Sequence, residues 1–212
     1  MIICFNKKIN TFFKIYKNNF SFTQENVQNI MPNVSDIKCK CPKCKTKSNF
    51  SYHGSYLRNI SFINDNGIFE CKVSVSRAIC NSCGSTHALL PSFIVPYRIF
   101  SMWSILYVIS KAFSSSVTFF SQKLNISIEL IYSFLALILS FFDFADSLNR
   151  EYNFFCNFNK KYFILNCFSI CDDKFCISFF YRYKWLFLMS KFRNIKPPPI
   201  YISINFSSPH NF

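Results

Sequence analysis

Two pairs of cysteines, Cys41-Pro-Lys-Cys44 and Cys80-Asn-Ser-Cys83, carry the clearest chemistry in this chain. Cys-x-x-Cys puts two thiolates on one tight turn whose backbone amides point at sulfur, and two such turns supply the four soft ligands of a tetrahedral Zn2+. Four protein ligands leave no open position on the metal, so the expected role is structural. Gly84 follows the second pair and can take the positive φ that closes the turn. Lys45, at the matching place after the first pair, is expected to loosen that turn. Cys39 stands one residue from Cys41, too close for an amide-lined turn, and reads as a bystander on the incoming strand. Cys71 reads as a small buried hydrophobe. His87, four residues past Cys83, is near enough to replace a thiolate but better suits a hydrogen-bonded strand position, and His53, beside Gly54, is also expected to be structural.

Something must bring the two pairs together. The segment between them reads as a β-hairpin, because Asp65-Asn66-Gly67 tolerates positive φ and lies between two strand-like runs. From Phe69 the sequence alternates, with Phe69, Cys71, Val73, Val75 and Ile79 on one face and Glu70, Lys72, Ser74 and Ser76 on the other. Knuckle, hairpin, knuckle is a zinc ribbon.

The chain has 212 residues, half of them hydrophobic, with 29 Phe and only 3 Gly. That suffices for a buried core. Its formal net charge of +14 is uneven: residues 1–100 carry 13 Lys/Arg against 4 Asp/Glu, residues 101–150 carry 3 against 3, and residues 151–212 carry 8 against 3. Basic ends around a neutral, apolar middle suit a polyanion partner. The opening residues interrupt their apolar positions with lysines and lack a small-residue cleavage site, so a cytoplasmic, reducing location is expected, where cysteines serve as ligands or core rather than disulfides. In the middle, the longest charge-free run, 130–142, has 13 residues, against the roughly 20 needed to span a bilayer. Membrane association through 102–142 stays open as an alternative, since admitting Glu129 lengthens the run.

Residues 41–101 contain "CPKC", "YHGSYLR" and "SRAICNSCGSTHALLPSFIVPYRIFS". They resemble the N-terminal zinc ribbon of bacterial insertion-sequence transposases, and more closely a bacterial family of open function that joins such a ribbon to a helix-turn-helix. The family's His-x-Leu-Leu-Pro-like segment and its Pro-Tyr-Arg fall on His87, Leu90, Pro91, Pro96, Tyr97 and Arg98. The likeness covers about residues 37–140 and implies nucleic-acid contact.

Spacing alone also accommodates a helix-turn-helix: Ser121 as the small crossing residue, Asn125 in the turn and Ile131 locking a second helix from Ile128 to about Ser140, N-capped by Ser127. Leu124 and Ile126 would flank the turn as core, with Val117 and Phe120 packing inward. A plain helical hairpin fits the pattern nearly as well. The groove-facing positions, Ser127, Ile128, Glu129, Tyr132 and Ser133, hold no Arg or Lys, although base readout usually uses Arg, Lys, Asn or Gln. Ser127 and Tyr132 remain the candidates there. Affinity is expected to come from the ribbon, with Lys38, Lys40, Lys43, Lys45, Lys47, Arg58, Lys72 and Arg77 on phosphate.

A two-metal nuclease needs a set of carboxylates, and residues 151–212 hold only Glu151, Asp172 and Asp173. No enzyme is expected. Cys167, Cys171 and Cys176 fit no knuckle spacing and read as core, while residues 181–202 mix basic and aromatic side chains that suit either stacking on unpaired bases or a packed amphipathic helix.

The expected fold is α+β: an N-terminal segment (1–36), a zinc ribbon (37–99), a helical helix-turn-helix-like region (100–150) and an aromatic, basic C-terminal segment (151–212). The expected function is a non-catalytic, transposase-like or transposase-associated DNA-binding protein with structural Zn2+. A zinc-ribbon module that docks on another protein is the other alternative.

Overall fold

The computed structural model describes residues 2–5, 23–37, 40–47, 49–183, 188 and 200–203. It is an α+β protein. In chain order the elements are β1 (Ile2–Phe5), α1 (Gln24–Asn29), β2 (Phe50–Asn64), β3 (Gly67–Cys80), β4 (Thr86–Pro91), α2 (Met102–Ser114), α3 (Val117–Leu124), α4 (Ile128–Leu139), α5 (Phe142–Tyr152), α6 (Lys160–Ile170), α7 (Asp173–Tyr183) and β5 (Ile200–Ser203). The chain forms two compact units. The first comprises residues 1–60, 71–94 and 197–212, and the second residues 61–70 and 95–196.

The first unit is built on a sheet in the order β2-β3-β4-β1-β5. The tip of the β2–β3 hairpin, residues 61–70, is counted with the second unit; it turns at Asp65 and Asn66, whose amide donates to Asn64 Oδ1 at 2.9 Å, and Gly67 takes the positive φ of 117° that the sequence anticipates there. β3 and β4 are antiparallel, with Arg77 opposite Ala88 and Ile79 opposite Thr86, whereas β1 lies parallel to both β4 and β5. Ile2, Ala78 and Leu89 form a buried cluster, with Val34, Ile37 and Phe50 packed on it.

The burial pattern along β3 corrects one expectation. Cys71, Val73 and Val75 are buried as the alternation requires, but Ala78 and Cys80 follow them inward and Ile79 does not. The inward phase slips by one residue where pairing with β4 begins. Just before the slip, Ser74 donates its amide to Gln28 Oε1 at 2.7 Å and accepts from Gln28 Nε2 at 3.3 Å. A side-chain amide thus imitates a neighbouring strand and satisfies both backbone groups.

In the second unit α2 is buried on nearly all sides from Met102 to Ile109, as a helix apolar around most of its circumference must be in a folded core. Its N-terminus is pinned by serines. Ser101 caps the helix, and the Ser104 hydroxyl donates to Ser61 O at 3.1 Å and accepts from Ile63 N at 3.0 Å. α3, α4 and α6 pack against α2, where Ser110 Oγ and Cys167 Sγ donate to Leu165 O and Leu106 O. Phenylalanines fill the rest: Phe141, Phe144 and Phe179 with Tyr183 in one group, Phe142, Phe158 and Phe163 in another. Cys167, Cys171 and Cys176 are buried among these helices, and burial pushes the Cys167 thiol up to about 12.

α3 and α4 meet at 117° across the turn 125–127. Asn125 takes the left-handed conformation at φ 52°, and the Ser127 hydroxyl accepts from Leu130 N at 3.1 Å. Ser121 Oγ donates back to Ile126 O at 2.6 Å. Phe120, Leu124, Ile126 and Ile131 are buried, and Val117 is half-buried. Among the described residues no single helix is long and apolar enough to cross a membrane; α3 and α4 together reach the composition but are sharply bent.

Candidate metal centre

Each knuckle is a short loop closed by its own backbone. In the first, Lys45 N donates to Cys41 O at 2.9 Å and Cys41 N to Thr46 O at 3.0 Å; in the second, Gly84 N donates to Cys80 O at 2.8 Å and Cys80 N to Ser85 O at 2.9 Å. The matching residues Lys45 and Gly84 sit at φ 61° and 67°. Lys45 therefore makes the same turn as the glycine, and the first knuckle is as closed as the second. The conformation costs a residue with a Cβ roughly 1 kcal/mol, which two backbone hydrogen bonds offset.

The four sulfurs of Cys41, Cys44, Cys80 and Cys83 lie within 4.8 Å of one another. Across the knuckles, Cys41 Sγ is 3.7 Å from Cys83 Sγ and Cys44 Sγ is 3.8 Å from Cys80 Sγ. A regular tetrahedron with bonds of about 2.3 Å to sulfur has edges of about 3.8 Å. The donor set thus fits a thiolate-binding metal ion. All four are free thiols, the first of each pair buried and the second half-buried.

The surroundings act on these thiols unequally. Burial pushes Cys41 up to about 11, so its thiolate requires a compensating charge such as a metal cation. Cys44 is held below the usual thiol range, chiefly by the Thr46 hydroxyl 2.9 Å from its sulfur. Lys43 N points at Cys41 Sγ at 3.4 Å, the amide-to-sulfur contact that this turn supplies. His87 Nε2 lies 3.5 Å from Cys41 Sγ. Its imidazole is buried, which lowers its pKa to about 4 and keeps it neutral, able to donate to the sulfur as a supporting group. Sequence reasoning placed His87 on a strand but missed this contact, and it missed Thr46 altogether. A hydroxyl two residues past the second cysteine was the available signal.

Other sequence-derived sites fall as follows. Lys40, Lys43, Lys45, Lys47 and Lys72 are exposed, and Arg58 is half-buried on β2. Arg77 donates from Nη2 to Thr86 Oγ1 at 3.1 Å across β3 and β4. Ser127 and Tyr132 belong to the helical unit, where Ser127 is occupied as a helix cap and the exposed Tyr132 ring meets Phe113 edge to face. His53 is exposed on β2. Lys38, Cys39 and most of the aromatic, basic stretch beyond Tyr183 lie outside the described residues.

The profile of a family described as a domain of unknown function (DUF6431) matches residues 41–126. The match begins at the first metal-site cysteine and ends at Ile126, in the turn between α3 and α4. Comparisons with curated proteins and with solved structures return no match.

Proposed function

We propose that the four-cysteine centre holds a structural Zn2+ and that the chain is a non-catalytic DNA-binding protein, transposase-like or transposase-associated, gripping the duplex mainly through phosphate. One observation carries this reading. Residues 37–60 and 71–94, the knuckles and the parts of the strands that adjoin them, contain eight Lys/Arg and no Asp or Glu, and the two acids of the hairpin, Asp65 and Glu70, lie at or near its turn. A surface with cations and no carboxylate attracts a polyanion without local repulsion. When bound, the metal supplies rigidity to the two knuckles, and their backbone then holds Lys43 and Lys45 at fixed positions beside the ligands. The 117° angle and three-residue turn between α3 and α4 match a helix-turn-helix. With no cation among its exposed residues, α4 would contribute orientation more than base readout.

The test is the salt dependence of duplex binding by the zinc-loaded chain. Each Lys or Arg contact contributes about 0.9 to the slope of log affinity against log salt. Replacing Lys43, Lys45 and Lys47 together by Ala is expected to flatten the slope by up to about 2.7. Absence of duplex binding at low salt, with zinc in place, removes this reading.

The second reading, docking on another protein, draws on the helical unit, where Phe119, Ile128 and Tyr132 are exposed on α3 and α4. Such a contact would persist at high salt, where a phosphate contact fades.

A further inference from the structure

The Lys-rich knuckle does not account for the outer half of β2. Residues 51–53 and 55–57 are all exposed, an unusual run for a strand, and Tyr52, Tyr56 and Leu57 present 63%, 39% and 62% of their surfaces. β2 ends the sheet on its side. Between the two tyrosines stands Gly54, at φ 97°, with nothing within 4 Å of where a Cβ would be. The backbone is therefore open to close approach at the point between the two rings.

We propose that this strand is a binding platform for single-stranded DNA, in which unpaired bases stack on Tyr52 and Tyr56 while the backbone of the nucleic acid runs over the open ground at Gly54. This rests on the DNA-binding reading and specifies a second form of the same ligand. Four residues along a strand span about 13 Å, so the two rings serve bases that are not adjacent. Aromatic stacking is tolerant of sequence because every base has a π-face, and it needs the base out of its pair. An intact duplex offers no such face. The surrounding charge favours the same ligand: Arg58 is on the strand itself, β2 carries no carboxylate, and Lys72 is exposed on β3 between the platform and Glu70, the one acid of β3. A second copy of the chain, the other natural occupant of an open strand, would bring an identical strand, carrying Arg58 and no carboxylate, against this one and gain no ion pair from it.

The experiment measures binding of the full, zinc-loaded chain to a labelled oligothymidylate of about 16 nucleotides and, in parallel, to a duplex of equal length. The variants are Tyr52→Ala/Tyr56→Ala and Tyr52→Phe/Tyr56→Phe, each checked for zinc content. The expected result is that the alanine pair weakens oligothymidylate binding by about 30-fold or more, leaves duplex binding within about threefold, and that the phenylalanine pair retains single-strand affinity. Wild-type protein that binds duplex but not oligothymidylate overturns the platform and leaves the duplex reading intact. Equal weakening of both ligands by the alanine pair, or no weakening of either, also overturns it. An oligouridylate bound more tightly than the oligothymidylate overturns the assignment to DNA. If the wild-type chain binds neither DNA form at low salt, both readings fall together.

Discussion

The ribbon unit carries 12 Lys/Arg against 2 Asp/Glu, and the helical unit 12 against 8. They differ as much in what holds them together. Buried side chains of the ribbon are mostly small or β-branched, such as Val27, Val73, Val75 and Ala78, whereas the helical unit buries Trp103, Phe120, Phe134, Phe163, Phe175 and Phe179. Large rings remove far more apolar surface from water per residue, and at roughly 25 cal/mol per Å2 that difference decides whether a small unit can fold by packing alone. A closely spaced row of like charges adds repulsion on the ribbon side. The comparison suggests a division of labour under the zinc proposal: apolar burial stabilises the helices, and thiolate coordination of the proposed metal would stabilise the knuckle end of the ribbon, freeing its surface to be basic.

The largest expected effect comes from the metal. Chelation, or Cys80→Ser, should release zinc and unfold the knuckles, with a loss on the order of 10 kcal/mol in the apparent stability of the metal-bound site. Metal analysis and hydrogen exchange of residues 41–47 and 80–87 check this, while helical circular dichroism should be largely kept. Cys39→Ser should retain one zinc per chain. If chelation melts the helices as readily as the knuckles, the proposed division is wrong.

Next in size is Ile131→Asp. Ile131 is fully buried beside the α3–α4 turn, and an unpaired charge there should cost several kcal/mol. Helical ellipticity and the melting temperature are expected to fall, with zinc content unchanged. An unaltered melting curve would show that the crossing tolerates a charge.

Alkaline pH acts on the helical unit more gently. The buried Cys167 thiol is raised to about 12, so the folded state keeps its proton after the unfolded state has lost it. Its contribution is complete below the ordinary thiol value of 9.0 and is lost as pH rises from there through about 12, at about 1.4 kcal/mol per unit. Denaturant midpoints at pH 8 and pH 10 should differ for the wild type, and Cys167→Ala should reduce that difference. An undiminished difference assigns the alkaline loss to other groups.

The smallest effect concerns Lys45. Glycine adopts its φ of 61° without a Cβ penalty, so Lys45→Gly should stabilise the zinc-loaded ribbon by up to about 1 kcal/mol. A competition titration with chelator would read this as tighter zinc retention. Weaker retention would mean that the lysine side chain supports the turn.

Much of the candidate site was legible because its signals are local. Cys-x-x-Cys spacing, the Asp65-Asn66-Gly67 turn and the Ser127 cap each depend on a few consecutive residues, so the chain states them directly. The slip of inward phase after Val75 was not legible, because it arises where β3 acquires β4 as a partner, and strict period-2 reading assumes one set of neighbours throughout. Lys45 defeated a propensity argument: two hydrogen bonds of the closed knuckle outweigh the usual reluctance of a lysine to take positive φ.

By itself the sequence determined the ligand residue types, the hairpin between them, the charge asymmetry and the apolar helical stretches, all carried by residue identity and short spacing. Only the tertiary structure decided which groups surround the sulfurs. His87 reaches Cys41 across 46 residues of chain, and the parallel pairing of β1 with β4 and β5 joins segments from opposite ends of the sequence. Contacts of that range depend on the packing of whole elements, whose energy comes from burial summed over many residues, and no local motif records their outcome.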